Sequence, residues 1–248
     1  MIVKKNSVNT NTKMFQFKQF SINQDQCAMK IGTDSVLLGA WCPVIDNPKS
    51  VLDIGTGTGI LSLMLAQRTN ADLIDAIEID DNAYEQAVEN FENSKYSDRL
   101  FCYHAGLDEF VENPEDEYDL IISNPPFYDE NFKSDDESRN LARFQDAMPF
   151  DELLDAVDLL LSENGLFATI IPFKEEDDFI ELAAELELYP IKITRVRGTF
   201  KTPIIRSLLA FKRFETPVFI ADELVIEIER HIYTEEYINL TKDFYLKM

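Results

Sequence analysis

Histidine and cysteine are scarce in this chain, at two and three residues among 248. Cys27, Cys42 and Cys102 are an odd number at spacings that match neither a zinc site nor a redox pair. They read as small buried thiols of a reducing compartment, with no disulfide and no metal. His104 and His231 are assigned to packing or surface positions and given no catalytic part. No window holds the roughly 18 uninterrupted apolar residues that a membrane span needs, and Met1-Ile2-Val3-Lys4-Lys5-Asn6 lacks the apolar stretch of a signal peptide. A cytoplasmic monomer without a membrane partner is therefore expected. Internal repeats, low-complexity tracts and Gly/Ser linkers are also missing. The 45% of hydrophobic residues suffices for one sizeable core.

Acidic residues are absent from two stretches, although the formal net charge is -23. Met1 to Gln24 contains Lys4, Lys5, Lys13 and Lys18 and no acid. Pro190 to Phe214 contains Lys192, Arg195, Arg197, Lys201, Arg206, Lys212 and Arg213, again with no acid. The net charge argues against a polyanion, and the two stretches would hold one only if the fold brings them to one face.

What is present between Ser50 and Ile171 is an alternation of short apolar runs with helical patterns, the sequence form of an α/β unit with a parallel sheet. Strands are expected at Val51–Ile54, Leu73–Ile77, Leu100–Tyr103, Leu120–Ser123, Gly165–Pro172, Pro190–Arg197 and Ser207–Phe214. Helices are expected at Ile60–Arg68, Asp81–Asn93, Phe150–Leu161 and Glu175–Leu186. The charged connection Asn131–Arg143 is long enough to suggest a functional loop, with Arg139 and Arg143 facing RNA phosphate.

Three motifs carry chemistry. Asp53-Ile54-Gly55-Thr56-Gly57-Thr58-Gly59 follows a strand and precedes a helix, and glycine is required where the backbone turns sharply beside a ligand. The spacing GxGxG departs from the GxGxxG of dinucleotide oxidoreductases, and an anionic Asp53 suits a ligand bearing positive charge. Glu78, at the end of the second core strand, is placed to accept two ribose hydroxyls, with Ile79 packing on the adenine. Asn124-Pro125-Pro126-Phe127 follows the fourth strand. The prolines hold the chain extended and leave preceding carbonyls free, so Asn124 and Pro125 offer two acceptors to an exocyclic amine while Phe127 stacks on its ring.

These motifs resemble those of class I amino-methyltransferases. Phe17-Lys18-Gln19-Phe20, Cys27 to Trp41, Leu63 to Thr69, Asp119 to Ser123, Leu208 to Phe211 and Phe244 to Leu246 extend the resemblance over nearly the whole chain. They are similar to the bacterial tRNA1(Val) (adenine-N6)-methyltransferase family. The resemblance implies a Rossmann-like, mainly parallel seven-stranded sheet flanked by helices over 41–248, with an N-terminal extension over 1–40 packing on the cofactor side. It implies S-adenosyl-L-methionine as cofactor, tRNA as partner and a cofactor-side role for Thr33 and Asp34. Thr33 also reads as the cap of a helix that buries Leu37, Leu38 and Trp41. Relatives place an Asp after the third strand against the cofactor adenine. This chain has Ala105-Gly106-Leu107-Asp108, which makes Asp108 the candidate.

The same Asn-Pro-Pro-Phe chemistry serves enzymes acting on ribosomal RNA, on DNA and on a release-factor glutamine. A non-catalytic RNA-binding protein and an NAD-dependent oxidoreductase are the remaining alternatives. The second leaves Asn124 to Phe127 without a task.

Overall fold

The computed structural model describes residues 14–112, 117–126, 148–215 and 220–247. Its centre is one mixed sheet. Five strands, β3 (Ser50–Ile54), β4 (Leu73–Glu78), β5 (Leu100–His104), β6 (Tyr118–Ser123) and β7 (Leu161–Pro172), pair in parallel in the order β5-β4-β3-β6-β7. β9 (Ile204–Lys212) adds antiparallel to β7, and β8 (Tyr189–Thr199) lies beyond it, antiparallel to β9. A hairpin of β1 (Met14–Gln16) and β2 (Ser21–Asn23) precedes the sheet.

The seven expected strands are all present, and the described sheet has nine. β10 (Ile220–Glu229) pairs parallel with β8, and β11 (Ile232–Tyr233) folds back on β10. The run Glu223-Leu224-Val225-Ile226-Glu227-Ile228-Glu229 does alternate. Its glutamates lower the strand preference that reveals the central strands, yet an outer strand keeps their charges in water. Central strands are instead buried on both faces and read as continuous apolar runs.

Helices α1 (Thr33–Trp41), α2 (Ile60–Arg68), α3 (Asp81–Glu92) and α4 (Leu107–Val111) precede the Asn-Pro-Pro corner. α5 (Phe150–Leu160), α6 (Glu176–Glu185) and α7 (Glu235–Thr241) follow it. Val51, Ile74, Leu120, Ile122, Ala168 and Leu208 face a core shared with α1, α2 and α7, to which Phe17, Phe20 and Ile22 of the N-terminal segment belong. Leu52, Ile54, Ile121, Phe167 and Phe211 face the other core, under α5 and α6. Leu37, Leu38 and Trp41 are buried as expected. The α1 cap, however, is Gly32, with no side-chain cap bond, and Thr33 is the first helical residue. Trp41, the only tryptophan, donates its indole N–H to Thr194 Oγ1 at 2.7 Å and carries Lys192 Nζ 4.7 Å from its ring centre.

Candidate active site

β3 lies between β4 and β6, so the carboxyl ends of three parallel strands converge where the strand order reverses. Open α/β sheets place ligands at this point. Ile54 and Ser123 pair in register, and Ser123 Oγ donates to the Ile54 carbonyl at 2.9 Å. The glycine loop that follows Ile54 and the Asn-Pro-Pro corner that follows Ser123 therefore leave adjacent strands at the same height.

The loop is pinned from β4. Gly55 and Thr56 donate their N–H groups to the Ile77 carbonyl at 3.1 and 3.0 Å, and Gly57 N–H donates to Glu78 Oε2 at 2.8 Å. Glu78 Oε1 accepts from Asp80 N–H at 2.9 Å. Gly55 (φ 69°) and Gly57 (φ 57°) lie in the left-handed region, and a Cβ on either would meet only open space. These two glycines thus leave a cradle that side chains would begin to fill. Gly59 (φ 80°) shares that conformation and carries a further constraint, because a Cβ there would come within 2.5 Å of Phe91 Cε1. It is glycine so that α2 can start against α3.

Asp53 is fully buried beneath the loop. Its Oδ2 accepts from Thr56 Oγ1 at 2.6 Å, Ser62 Oγ at 2.7 Å and Ser62 N–H at 3.1 Å, while Oδ1 has no partner among the described residues. Burial pushes the Asp53 carboxyl up to about 6, and the bonds from Thr56 and Ser62 work in the opposite direction. Ile79 is 72% exposed at the cradle's edge. Asp108 folds back so that Oδ1 lies 2.6 Å from where a Gly106 Cβ would stand, and Ile79 Cδ1 is 3.4 Å from that same point. The two residues proposed for the adenine end are thus neighbours.

At the corner, Asn124 Nδ2 donates to Ser35 Oγ at 2.9 Å. That bond tethers the side chain, and Asn124 Oδ1 has no partner among the described residues. The Pro126 carbonyl accepts from Met148 N–H at 3.2 Å, whereas the Pro125 carbonyl has no partner among the described residues. Phe127 and the loop Asn131–Arg143 lie outside the described residues, as do Lys4, Lys5 and Lys13.

Sequence reading misses Ser35, Ser62 and Arg206, whose partners lie far along the chain or across a turn. Arg206 Nε donates to Asp34 Oδ2 at 2.9 Å, so Asp34 anchors the start of α1 to β9. Asn90 is missed too, although its amide ties α3 to the Thr58 carbonyl and the Asn23 carbonyl, both at 2.9 Å.

The acid-free run Pro190–Phe214 is less basic in space than in sequence. Arg195 pairs with Glu176, Arg197 with Glu223, Arg206 with Asp34, Lys212 with Asp46 and Arg213 with Asp158. Lys192 is half-buried on Trp41, where burial pushes its pKa down and the charge of Asp222 works in the opposite direction. Lys18, from the other acid-free stretch, shares a cavity with Arg68 at the carboxyl end of α2. That is the far end of the sheet from the corner.

Among the described residues no cluster of three or more His, Cys, Asp or Glu could hold a metal, and no helix is long and apolar enough to cross a membrane. The cysteines are free, Cys27 and Cys42 buried and Cys102 half-buried, and burial pushes each thiol up to about 12. His104 stacks on Tyr84 and reaches Asp81 and the Ile79 carbonyl.

A family model described as methyltransferase small domain matches residues 28–144. Among solved structures, a predicted O-methyltransferase from Agrobacterium tumefaciens aligns with a TM-score of 0.66 at 17% identity, covering 85% of this chain and 96% of its own. The fold is that of a class I, S-adenosylmethionine-dependent methyltransferase. The residues fit that cofactor, since an open cradle over Gly55 and Gly57 sits above an orphaned carboxylate oxygen of Asp53 and suits a cationic ligand. A tRNA1(Val) (adenine(37)-N6)-methyltransferase of Flavobacterium johnsoniae is 71% identical over 235 residues, covering 95% of this chain and all of the relative. One of Bacteroides fragilis is 44% identical over 236 residues, covering 94% and 98%. The chain belongs to the tRNA1(Val) (adenine(37)-N6)-methyltransferase family.

Proposed function

We propose that this enzyme methylates N6 of an adenine in tRNA, namely adenine 37 of tRNA1(Val), working as a cytoplasmic monomer. The observation that carries the reading is the pair of adjacent oxygens without described partners, Asn124 Oδ1 and the Pro125 carbonyl, on the strand next to the glycine cradle. An exocyclic amine has two hydrogens to give, and these oxygens accept one each. Accepting both withdraws the nitrogen lone pair from conjugation with the ring and aims it toward the cradle. The cofactor supplies an electrophilic methyl group when bound.

Asp53, Gly55 and Gly57 would hold the charged end of the cofactor, and Gly59 starts the helix behind them. Each Glu78 oxygen retains a second acceptor position for a ribose hydroxyl. Ile79 would cover the adenine face with Asp108 at its edge, while Thr33 and Asp34 close the pocket from the N-terminal extension. Positioning is the main contribution of the chain, because the amine turns acidic as it is methylated and needs no strong base. Pro126 keeps the corner extended, and Phe127 is assigned to stack on the target base.

Incubation of purified protein with methyl-labelled cofactor and tRNA lacking the modification should place label on adenine N6. Label entering only DNA, ribosomal RNA or a release factor would reject the reading.

A further inference from the structure

β9 runs antiparallel to β7, with Arg206 opposite Pro172, and β8 runs antiparallel to β9. The β8–β9 connection therefore stands at the carboxyl end of the parallel strands, the same end as Asn124. The tie is short. Arg206, four residues beyond Thr202, grips Asp34, and the adjoining Ser35 holds the Asn124 amide.

The connection is a stiff turn. Thr202 N–H donates to the Thr199 carbonyl at 3.1 Å, Thr199 N–H to Thr202 Oγ1 at 2.9 Å, and Lys201 N–H to Thr199 Oγ1 at 3.3 Å. At its tip Phe200 is 64% exposed, with no ring contact among the described residues. Of the seven cations between Pro190 and Phe214, six are engaged by carboxylates or by Trp41, as described above. The seventh, Lys201, is exposed beside Phe200 and has no side-chain partner among the described residues. An aromatic plate next to an uncompensated cation is the pairing that holds single-stranded nucleic acid, one residue stacking on a base and the other meeting its phosphate.

We propose that the Thr199–Thr202 turn is a docking platform for an unpaired nucleotide of the RNA, flanking the base that enters the active site. Phe200 gives the stacking face and Lys201 the phosphate contact. The inference rests on the RNA reading of the active site and adds where the strand is held. It also gives a chain of net charge -23 a local cationic contact for RNA.

The test is steady-state kinetics of the full chain on unmodified tRNA1(Val) transcript, with cofactor affinity measured separately. Phe200→Ala is expected to raise KM for tRNA about tenfold, equivalent to about 1.4 kcal/mol, with kcat at saturating tRNA and cofactor Kd unchanged. Phe200→Trp should restore the wild-type KM. Lys201→Ala should reduce the slope of log Kd for tRNA against log salt by about 0.7, the contribution of one phosphate contact on a single strand. A Phe200→Ala enzyme with wild-type KM, or a KM defect that Phe200→Trp fails to rescue, overturns the platform and leaves the active-site reading intact. If the wild-type enzyme transfers no methyl group to tRNA while methylating another substrate, the RNA reading falls and the platform with it.

Discussion

Asn124 Nδ2 donates to Ser35 Oγ across 2.9 Å, joining the reactive corner after β6 to the first turn of α1. Ser35 tethers the Asn124 side chain beside the corner, which makes it a positioning residue. Ser35→Ala should lower kcat about fivefold and leave cofactor Kd unchanged, since a lost hydrogen bond of this kind is worth about 1 kcal/mol. Asn124→Ala should lower kcat by about 100-fold or more, by analogy with removal of one preorganised polar partner. In the double variant the Ser35 effect should vanish. Additive losses in that cycle would show that Ser35 acts by another route.

Asp53 links pH to stability with a sign opposite to that of an ion-paired carboxylate. Free in solvent it loses its proton near 3.8, and in the folded chain near 6. Between those values the folded state binds the extra proton, so the contribution of Asp53 to stability falls as pH rises through the window. The melting temperature of Asp53→Asn should lack this component, seen as a wild-type minus variant difference that declines between about pH 4 and pH 6. Cofactor affinity should move the other way and strengthen as Asp53 ionises. A pH-independent difference between the two proteins would refute the assignment.

Gly57 and Gly59 both lie in the left-handed region, but only Gly59 also packs against a ring, and substitution should separate them. Gly57→Ala puts a Cβ into open space at φ 57°, costing about 1 kcal/mol of backbone strain. It should mainly weaken cofactor binding measured by calorimetry. Gly59→Ala drives a methyl group against Phe91, so a loss of about 1–3 kcal/mol in unfolding free energy is expected.

Arg195 serves the fold more than a ligand. It meets Glu176, which is 2% exposed and also accepts from Ser207 Oγ. Arg195→Ala should cost about 1–2 kcal/mol of stability, less than for a fully buried pair because the guanidinium side chain is 43% exposed. Its KM for tRNA should change little. A large KM effect with an unchanged melting curve would move Arg195 to the RNA surface.

These residues show how far the sequence could be read. Gly55, Glu78 and Asn124 were legible because each sits at a strand end, and strand ends in a parallel sheet meet at one edge. Ser35 and Arg206 were not, because their partners lie 89 and 172 residues away and nothing local marks a serine as the support of an asparagine. The basic run Pro190–Phe214 misled for the same reason. Its acids come from α5, α6, β10, the start of α1 and the α1–β3 connection, and linear charge counting cannot see them. β10 escaped notice because an outer strand is free to be acidic.

Helix α1 starts at the residues that steady Asn124 and ends on the lone tryptophan, whose indole is clasped by Thr194 of β8. The chain thus carries its own fluorophore on the element that supports the reactive corner. Emission from Trp41 would report, without any attached label, whether that helix is seated while cofactor and tRNA arrive.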